Sequence, residues 1–267
     1  MACVAVPVFP GTNSEDETVR ALQAAGLDAE SVHWSRGGDA LGAFDAFVLP
    51  GGFAYEDRVR AGAVAAHDEL TDAIVAAAQA GKFVLGICNG AQILLETGLV
   101  PGTGPIRRPT AAFTPNRDGG RYLCRHVHVR LAVAPERVPA LAGLAPGAVI
   151  PAWASHGDGR LAAAPEELAR LHCDGHIAFV YCDAGGRPVP APQGSALDCA
   201  ALTNAAGTVV AIMPHPERDA WTFMHRDGAA RLAARGDSAA MLGPSGGSAF
   251  FAAFARALGA GPAAPAR

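Results

Sequence analysis

Short strand-like runs alternate with helix-like stretches through the first hundred residues of the chain. The strand-like runs cover residues 4–9, 31–34, 46–49 and 83–87. Helical spacing is found over residues 14–26, where Ser14 and Glu17 occupy capping-box positions, and over residues 62–80. Continuous apolar strands that alternate with helices predict a parallel sheet covered by helices on both faces.

The later part of the chain has a different pattern. Between residues 127 and 133 apolar side chains occupy every second position, which is typical of a strand with one wet face. Residues 177–182 and 209–213 have the pattern of two further strands, and residues 250–258 carry phenylalanines and a leucine at core-helix spacing. Because no long Gly/Ser linker separates these segments, we expect antiparallel additions to the same domain.

Composition excludes several classes of protein. The chain has 267 residues, of which 50% are hydrophobic and 17% charged, with a formal net charge of −4. Such a chain can bury a sizeable core, and it lacks the basic footprint of a nucleic-acid-binding protein. It has no signal-peptide pattern at its start, no apolar run long enough to span a membrane, and no phosphate loop. We therefore expect a cytoplasmic protein with no membrane contact.

The six cysteines are scattered, at positions 3, 88, 124, 173, 182 and 199. They form no Cys-x-x-Cys pair and have no matching histidine spacing, so neither a metal site nor a disulfide framework is predicted. A reducing compartment fits this usage, and it would keep a catalytic thiol active.

One of these cysteines has the sequence context of a nucleophile. The run Gly-Ile-Cys-Asn-Gly around Cys88 predicts a buried strand, a tight turn and the start of a helix. Serine hydrolases hold their nucleophile on a turn of this kind, and the positive end of a helix stabilises a thiolate. A buried structural cysteine is the alternative, but the paired glycines favour the nucleophile.

A cysteine nucleophile requires a base, and the base requires an orienting group. Among nine histidines, His215 follows an apolar run, and prolines flank it on both sides. Glu217 is close enough in sequence to accept a hydrogen bond from its imidazole. Taken alone, this segment could equally be a rigid loop with a solvated carboxylate; combined with Cys88 it predicts a Cys-His-Glu triad.

Attack on a carbonyl also requires hydrogen-bond donors for the oxyanion. The backbone N–H of Asn89 follows the nucleophile, which is the usual position for one donor. A second donor is expected at the Pro-Gly-Gly-Phe turn, from the backbone of Gly52 or Phe53. By itself that turn is only a good loop sequence.

Together these motifs resemble the class I (triad) glutamine amidotransferases. More narrowly, the chain is similar to the glutaminase subunits of phosphoribosylformylglycinamidine synthase, a purine-biosynthesis enzyme. Four segments carry the narrower resemblance, namely residues 9–13, residues 49–55 with 60–63, residues 123–125 and residues 155–159. The resemblance extends from the first strand to Arg218 and, more loosely, to the last helix.

The resemblance implies a flavodoxin-like fold, with a mostly parallel central sheet, helices on both faces and antiparallel additions. It implies that Cys88 attacks the side-chain amide of L-glutamine, that His215 handles the protons and that Glu217 orients His215. Ammonia would pass to a PurL-like synthetase subunit, which converts formylglycinamide ribonucleotide to formylglycinamidine ribonucleotide with its own ATP and Mg²⁺. This chain would need no cofactor. Whether a small PurS-like subunit joins the complex stays open.

The resemblance also suggests residues that bind glutamine, namely Gly51, Gly52, Gln92 and Arg125. For Arg125, contact with substrate or partner and a solvated position on a strand remain equally open.

Several positions depart from the family pattern. Ala54 and Glu56 replace the usual serine and glycine, Ala91 replaces a common phenylalanine, and Asp158 stands where glutamate is usual. The segment before the last helix is longer than expected. We therefore predict one amidotransferase domain over residues 1–258, with an atypical loop/helix insertion at 219–248 and a frayed tail at 259–267.

Three other functions compete with this one. A DJ-1/PfpI-like cysteine hydrolase would share the sheet and the cysteine turn but would not need His-Pro-Glu after a late strand. The glutaminase of another pathway, such as anthranilate, GMP or CTP synthesis, would share the triad but is disfavoured by residues 9–13. A degenerate scaffold domain is disfavoured by the intact triad.

Overall fold

The computed structural model describes residues 1–117, 119–228, 230 and 239–260. Its strands are, in chain order, β1 (Cys3–Val8), β2 (Asp28–His33), β3 (Ala46–Leu49), β4 (Phe83–Ile87), β5 (Ala111–Thr114), β6 (Leu123–Leu131), β7 (Val149–His156), β8 (Arg160–Ala163), β9 (Ile177–Cys182), β10 (Cys199–Thr203) and β11 (Val209–Ile212). The α-helices are α1 (Glu15–Ala24), α2 (Glu69–Gln79), α3 (Asn89–Glu96), α4 (Pro165–Cys173) and α5 (Ser248–Ala257). Short 3-10 turns occupy several of the connections.

Nine of these strands form a single mixed sheet, in the order β2-β1-β3-β4-β11-β10-β9-β6-β7. Pairing is parallel from β2 to β11 and antiparallel from β11 to β7. Strands β5 and β8 form a separate antiparallel pair. The predicted parallel core with antiparallel additions is confirmed.

The parallel half of the sheet places the predicted chemistry at one edge. Strands β3, β4 and β11 are neighbours and run in the same direction. Their carboxyl ends therefore carry the Gly51-Gly52 turn, Cys88 and His215 side by side. In parallel sheets the ligand site lies beyond these ends.

The core lies on both faces of the sheet. Every residue of β3, β10 and β11 is buried, which requires cover above and below them. Among the largest fully buried side chains are Tyr181, Phe47, Phe179, Phe250, Phe251 and Phe254. Three of these come from α5, so the predicted Phe-rich helix does contribute to the core. None of the helices among the described residues is long and apolar enough to cross a membrane.

Two local predictions were wrong. A single helix over 62–80 is not formed, because Asp68 accepts the Leu70 N–H at 2.8 Å and starts a new helix after a 3-10 turn. The capping box at Ser14 is not formed either. The Ser14 hydroxyl instead accepts a hydrogen bond from Arg218 at 2.8 Å, which ties α1 to the segment after β11.

The predicted insertion and the predicted tail are only partly described. The insertion at 219–248 begins at the end of a 3-10 turn, Glu217–Asp219, and contains two more at Thr222–Met224 and Ala239–Leu242, while residues 229 and 231–238 lie outside the described residues. Most of the predicted frayed tail, residues 261–267, also lies outside them.

Candidate active site

Cys88 sits on a strained turn between β4 and α3. Its backbone has φ +51° and ψ −104°, a region that residues with side chains rarely occupy. Its N–H donates to the carbonyl of Ile212 on the neighbouring strand at 2.8 Å, which holds the turn to the sheet. Strain of this kind is characteristic of a nucleophile that must project from the edge of a sheet.

The glycine after this turn is required by close backbone contact. A Cβ on Gly90 would lie 2.1 Å from the carbonyl oxygen of Leu49, far inside van der Waals contact. The Gly90 N–H donates to the carbonyl of Pro50 at 3.1 Å. The second glycine of the motif therefore lets α3 begin directly against the end of β3, with Cys88 at its N-terminus.

His215 follows β11 and is held by the opposite edge of the same sheet. Its N–H donates to the carbonyl of Trp153 at 2.8 Å, and the Trp153 N–H returns a bond at 3.1 Å. Trp153 belongs to β7, the edge strand of the antiparallel half. That half therefore curls back onto the parallel half, and its edge fixes the backbone of the predicted base.

The imidazole of His215 is oriented by Glu217. Nδ1 of His215 and Oε1 of Glu217 form a short hydrogen bond, and both side chains are almost completely buried. The other ring nitrogen, Nε2, has no geometric hydrogen-bond partner among the described residues. It is thus the nitrogen available to the Cys88 sulfur.

The charge on His215 is set by its two neighbours. Burial alone would lower the pKa of the imidazole, but the Glu217 carboxylate and the Cys88 sulfur outweigh burial and raise the pKa to about 10. At neutral pH the ring is therefore protonated in the resting state and able to deliver a proton to a leaving group.

Gly52 and Asn89 supply backbone donors beside the thiol. Asn89 is the first residue of α3, so its N–H has no partner within the helix. Gly52 lies at φ +154°, and its N–H donates no hydrogen bond within the described part of the chain. Both N–H groups are therefore free to donate, as their predicted oxyanion role requires.

The expectation for Phe53 is wrong in this conformation. Its N–H donates to the carbonyl of Gly11 at 2.9 Å, so it is occupied by the loop that follows β1. The reason is the close pairing of that loop with the turn after β3, where the Thr12 and Gly52 backbones lie side by side.

A cavity of about 110 Å³ opens beside the thiol. It is lined by Asn13, Gly52, Phe53, Asp57, Cys88, Gln92, Tyr122, Ser155, His156, Gly157, Asp158, His215 and Arg218. The thiol donates a weak hydrogen bond to the Ser155 carbonyl at 3.7 Å. The predicted nucleophile and base therefore line the same cavity.

The predicted glutamine-binding residues differ in their relation to this cavity. Gly52 and Gln92 line it, whereas Gly51 lies behind it, where its carbonyl accepts the N–H groups of Asn13 and Ser14. The amide of Gln92 is engaged by protein atoms: it donates to the Asp158 carbonyl at 2.6 Å. Arg125 is exposed on β6 and is not among the residues that line the cavity, so the cavity gives no support to its predicted role in glutamine binding.

Eight residues of the cavity wall were not predicted as site residues, and three of them, Asp57, His156 and Arg218, carry ionisable groups of particular interest. Asp57 accepts a hydrogen bond from the Asn89 side chain at 3.0 Å, and burial raises the pKa of its carboxyl group. His156 is buried, and burial together with the charge of His215 lowers the pKa of its ring to about 4. Arg218 contributes a cation. Asp57 lies between residues 49–55 and 60–63, two segments that carry the family resemblance. Its nearness to them in sequence was the signal that could have identified it as a site residue.

The chain matches known proteins over most of its length. Residues 2–238 match the family of the CobB/CobQ-like glutamine amidotransferase domain. A phosphoribosylformylglycinamidine synthase subunit PurQ of Haloquadratum walsbyi is 42% identical over 219 residues, which cover 80% of this chain and 90% of that protein. The subunit of the same name from Symbiobacterium thermophilum is 42% identical over 79% of this chain and 85% of its own length.

Solved structures agree with the fold. The chain superimposes with a TM-score of 0.72 on one entitled "Structure of PurLQS from Thermotoga maritima", with 27% identity, covering 96% of this chain and 99% of that one. Because the family match spans residues 2–238 and the curated relatives are about 40% identical over most of their length, the chain belongs to the CobB/CobQ-like glutamine amidotransferase domain family.

Proposed function

We propose that this chain is a glutaminase that hydrolyses L-glutamine and supplies ammonia for the synthesis of formylglycinamidine ribonucleotide in purine biosynthesis. The observation that carries this is that Cys88 and His215 line one cavity, while buried Glu217 bonds to the other ring nitrogen of His215. The similarity to PurQ subunits supports the choice of pathway.

The first half of the reaction forms a thioester. The Cys88 sulfur, which has given its proton to Nε2 of His215, attacks the side-chain amide carbon of glutamine, and the carbonyl oxygen becomes an oxyanion that the Gly52 and Asn89 N–H groups stabilise. His215 donates its Nε2 proton to the amide nitrogen, the C–N bond breaks, and ammonia leaves. The raised pKa of His215 suits this step, because the ring carries its proton at neutral pH.

The second half regenerates the Cys88 thiolate and the protonated His215. Neutral His215 removes a proton from water, and the resulting hydroxide attacks the thioester carbon. The C–S bond breaks, glutamate is released and the Cys88 sulfur leaves as a thiolate. Glu217 keeps Nδ1 protonated and bonded throughout, so that Nε2 is the nitrogen that exchanges protons in both halves.

Glutamine would be held by the cavity wall. Gly52 and Gln92 remain the proposed contacts from the sequence, and Asp57, His156 and Arg218 add two acceptors and a cation to the same wall. A zwitterionic amino acid requires both kinds of group.

A second protein would use the ammonia that this chain releases. We propose that a PurL-like synthetase subunit receives it and holds the ATP and Mg²⁺, and that a PurS-like subunit joins the complex. The structure entitled PurLQS, which this chain resembles, supports that assembly. This chain's own chemistry needs no cofactor, and a cytoplasmic location follows from the pathway.

The experiment is a glutaminase assay with and without the cognate synthetase, formylglycinamide ribonucleotide and ATP. We expect glutamate release to rise when all three are present and ammonia to be incorporated into the nucleotide. Glutamate release that the synthetase leaves unchanged would contradict the pathway while leaving the hydrolysis itself intact. Absence of glutamate release under both conditions would contradict the glutaminase.

A further inference from the structure

A second cluster of polar side chains lies behind the triad. It consists of His126 on β6, Asp219 in the 3-10 turn that begins at Glu217, and His225. One ligand atom from each residue lies within 4.8 Å of the others. His126 lies 93 residues before Asp219 in sequence, so the spacing of histidines along the chain gave no sign of the cluster.

The members of this cluster are packed together rather than scattered on the surface. Asp219 is fully buried, and its Oδ2 lies 2.6 Å from Nε2 of His126, whose side chain is also almost completely buried. The rings of His126 and His225 are 4.8 Å apart at their centres, and His128 lies 5.1 Å from His126 on the same face of β6.

The carboxylate of the cluster is oriented by a hydrogen bond from outside it. Oδ1 of Asp219 accepts a hydrogen bond from the Ser245 hydroxyl at 2.7 Å, which fixes the plane of the carboxylate. Such hydrogen bonds orient carboxylates that bind metal ions. Nδ1 of His225 accepts the Asp227 N–H at 3.1 Å in an exposed turn, so Nε2 is the nitrogen on the remaining side of the ring.

Two imidazoles and a carboxylate are the donor set of many zinc sites. We propose that His126, Asp219 and His225 bind a divalent cation of the Zn²⁺ class and thereby fasten the turn that carries Glu217 to β6. Water or His128 completes the coordination. Atoms bound to one tetrahedral Zn²⁺ lie about 3.3 Å apart. His225 therefore closes on the ion by up to about 1.5 Å, while the 2.6 Å separation of His126 Nε2 and Asp219 Oδ2 opens by about 0.7 Å.

Binding replaces two contacts of the metal-free protein. The ion displaces the hydrogen between His126 and Asp219, and it moves the ring proton of His225 to Nδ1. The Asp227 N–H then bonds to water, which costs little because the turn is exposed. The metal is structural and takes no part in the attack on glutamine.

The test uses full-length protein stripped with a chelator, at one fixed pH, in a Cys88→Ser background that removes the thiol as a rival ligand. Zn²⁺ binding is measured by calorimetry, and Co²⁺ binding by its visible absorption. We expect one ion per chain, a tetrahedral Co²⁺ spectrum without thiolate bands, and a higher melting temperature with metal.

Matched variants locate the site. Loss of a group that hydrogen-bonds to a metal ligand lowers metal affinity about 10- to 100-fold. We therefore expect Ser245→Ala to lower Zn²⁺ affinity within that range, and His225→Gln and His126→Gln to lower it by at least as much. His172→Gln, which changes an exposed histidine on α4, should bind like the parent. Circular dichroism reports whether His126→Gln folds. His225→Gln is the second variant, because His225 is only half-buried and its replacement disturbs the fold less.

Three outcomes would overturn the proposal. These are no uptake of Zn²⁺ at stoichiometric excess, uptake that His126→Gln and His225→Gln leave unchanged, and uptake that the Cys88→Ser protein has lost relative to the parent chain. The last would move the ion to the triad. None of them bears on glutamine hydrolysis, which is measured separately.

Discussion

His156 and His215 line the same cavity, and their ring pKa values are shifted in opposite directions. His215 has the Glu217 carboxylate and the Cys88 sulfur beside it, so it retains a proton despite burial. His156 bonds through Nδ1 to the neutral amide oxygen of Asn116 at 3.2 Å, and neighbouring His215 opposes its protonation. One cavity therefore holds a charged and a neutral imidazole at neutral pH.

The pH dependence of stability on the alkaline side follows from His215. Its pKa of about 10 in the folded protein exceeds the unfolded value of about 6.5, so its contribution is full below pH 6.5 and disappears as the pH rises toward 10. The free energy of unfolding should decline by up to about 1.4 kcal/mol per pH unit from this group. Urea unfolding of the parent and of His215→Gln at a series of pH values measures it, and parallel curves would contradict the shift.

The pH dependence of stability at acid pH follows from His156, whose pKa is lowered rather than raised. Its pKa of about 4 in the folded protein lies below the unfolded value, so the unfolded chain binds protons more readily between pH 6.5 and 4. We expect this residue to remove about 3 kcal/mol of unfolding free energy across that interval. His156→Gln cannot titrate and should lose less stability over the same range. An equal loss in both proteins would show that His156 is not held neutral.

Replacement of Cys88 by serine should reduce glutamine hydrolysis at least about a thousand-fold, because the hydroxyl is a far weaker nucleophile on the same turn. Cys124→Ser is the matched control, since Cys124 is an exposed thiol on β6 that lines no part of the cavity. Glutamate release is the measurement. Equal activity in the two variants would rule out a thioester on Cys88.

Glu217→Gln tests the orienting group. The amide can hold the ring but cannot stabilise its charge, so we expect kcat to fall about 10³- to 10⁴-fold with little change in KM. The pKa of His215 should fall as well, which NMR titration of the ring can follow. A rise in KM at unchanged kcat would instead assign Glu217 to substrate binding.

Gly90→Ala should destabilise the protein by about 3 kcal/mol or more and abolish activity, because the new Cβ would overlap the Leu49 carbonyl at 2.1 Å. Gly42→Ala serves as the control: its Cβ meets only the Asp39 carbonyl, at 3.5 Å, and its φ is −58°. Thermal unfolding and glutaminase activity together make the comparison. If Gly90→Ala behaves like Gly42→Ala, the close approach of α3 to β3 does not exist in solution.

Much of the fold could be predicted because it depends on local pattern. The bounds of β3, β4 and β9 agree with the apolar runs, since a fully buried strand must be apolar throughout. Helix 62–80 could not be predicted correctly, because the competing cap at Asp68 outweighs helical periodicity. The pairing of β7 with His215 joins segments 62 residues apart, and no periodicity along the chain encodes it.

The assignment of Cys88, His215 and Glu217 came from sequence alone, because the Gly-Ile-Cys-Asn-Gly and Pro-His-Pro-Glu runs each follow an apolar strand-like run and place their polar residues at its end. The tertiary fold selected the groups around these residues. It occupied the Phe53 N–H with Gly11, brought His156 and Asp57 into the cavity, left Arg125 outside, and gathered His126, Asp219 and His225. Those outcomes depend on how distant segments pack and compete for the same hydrogen bonds, which residue order along the chain does not specify.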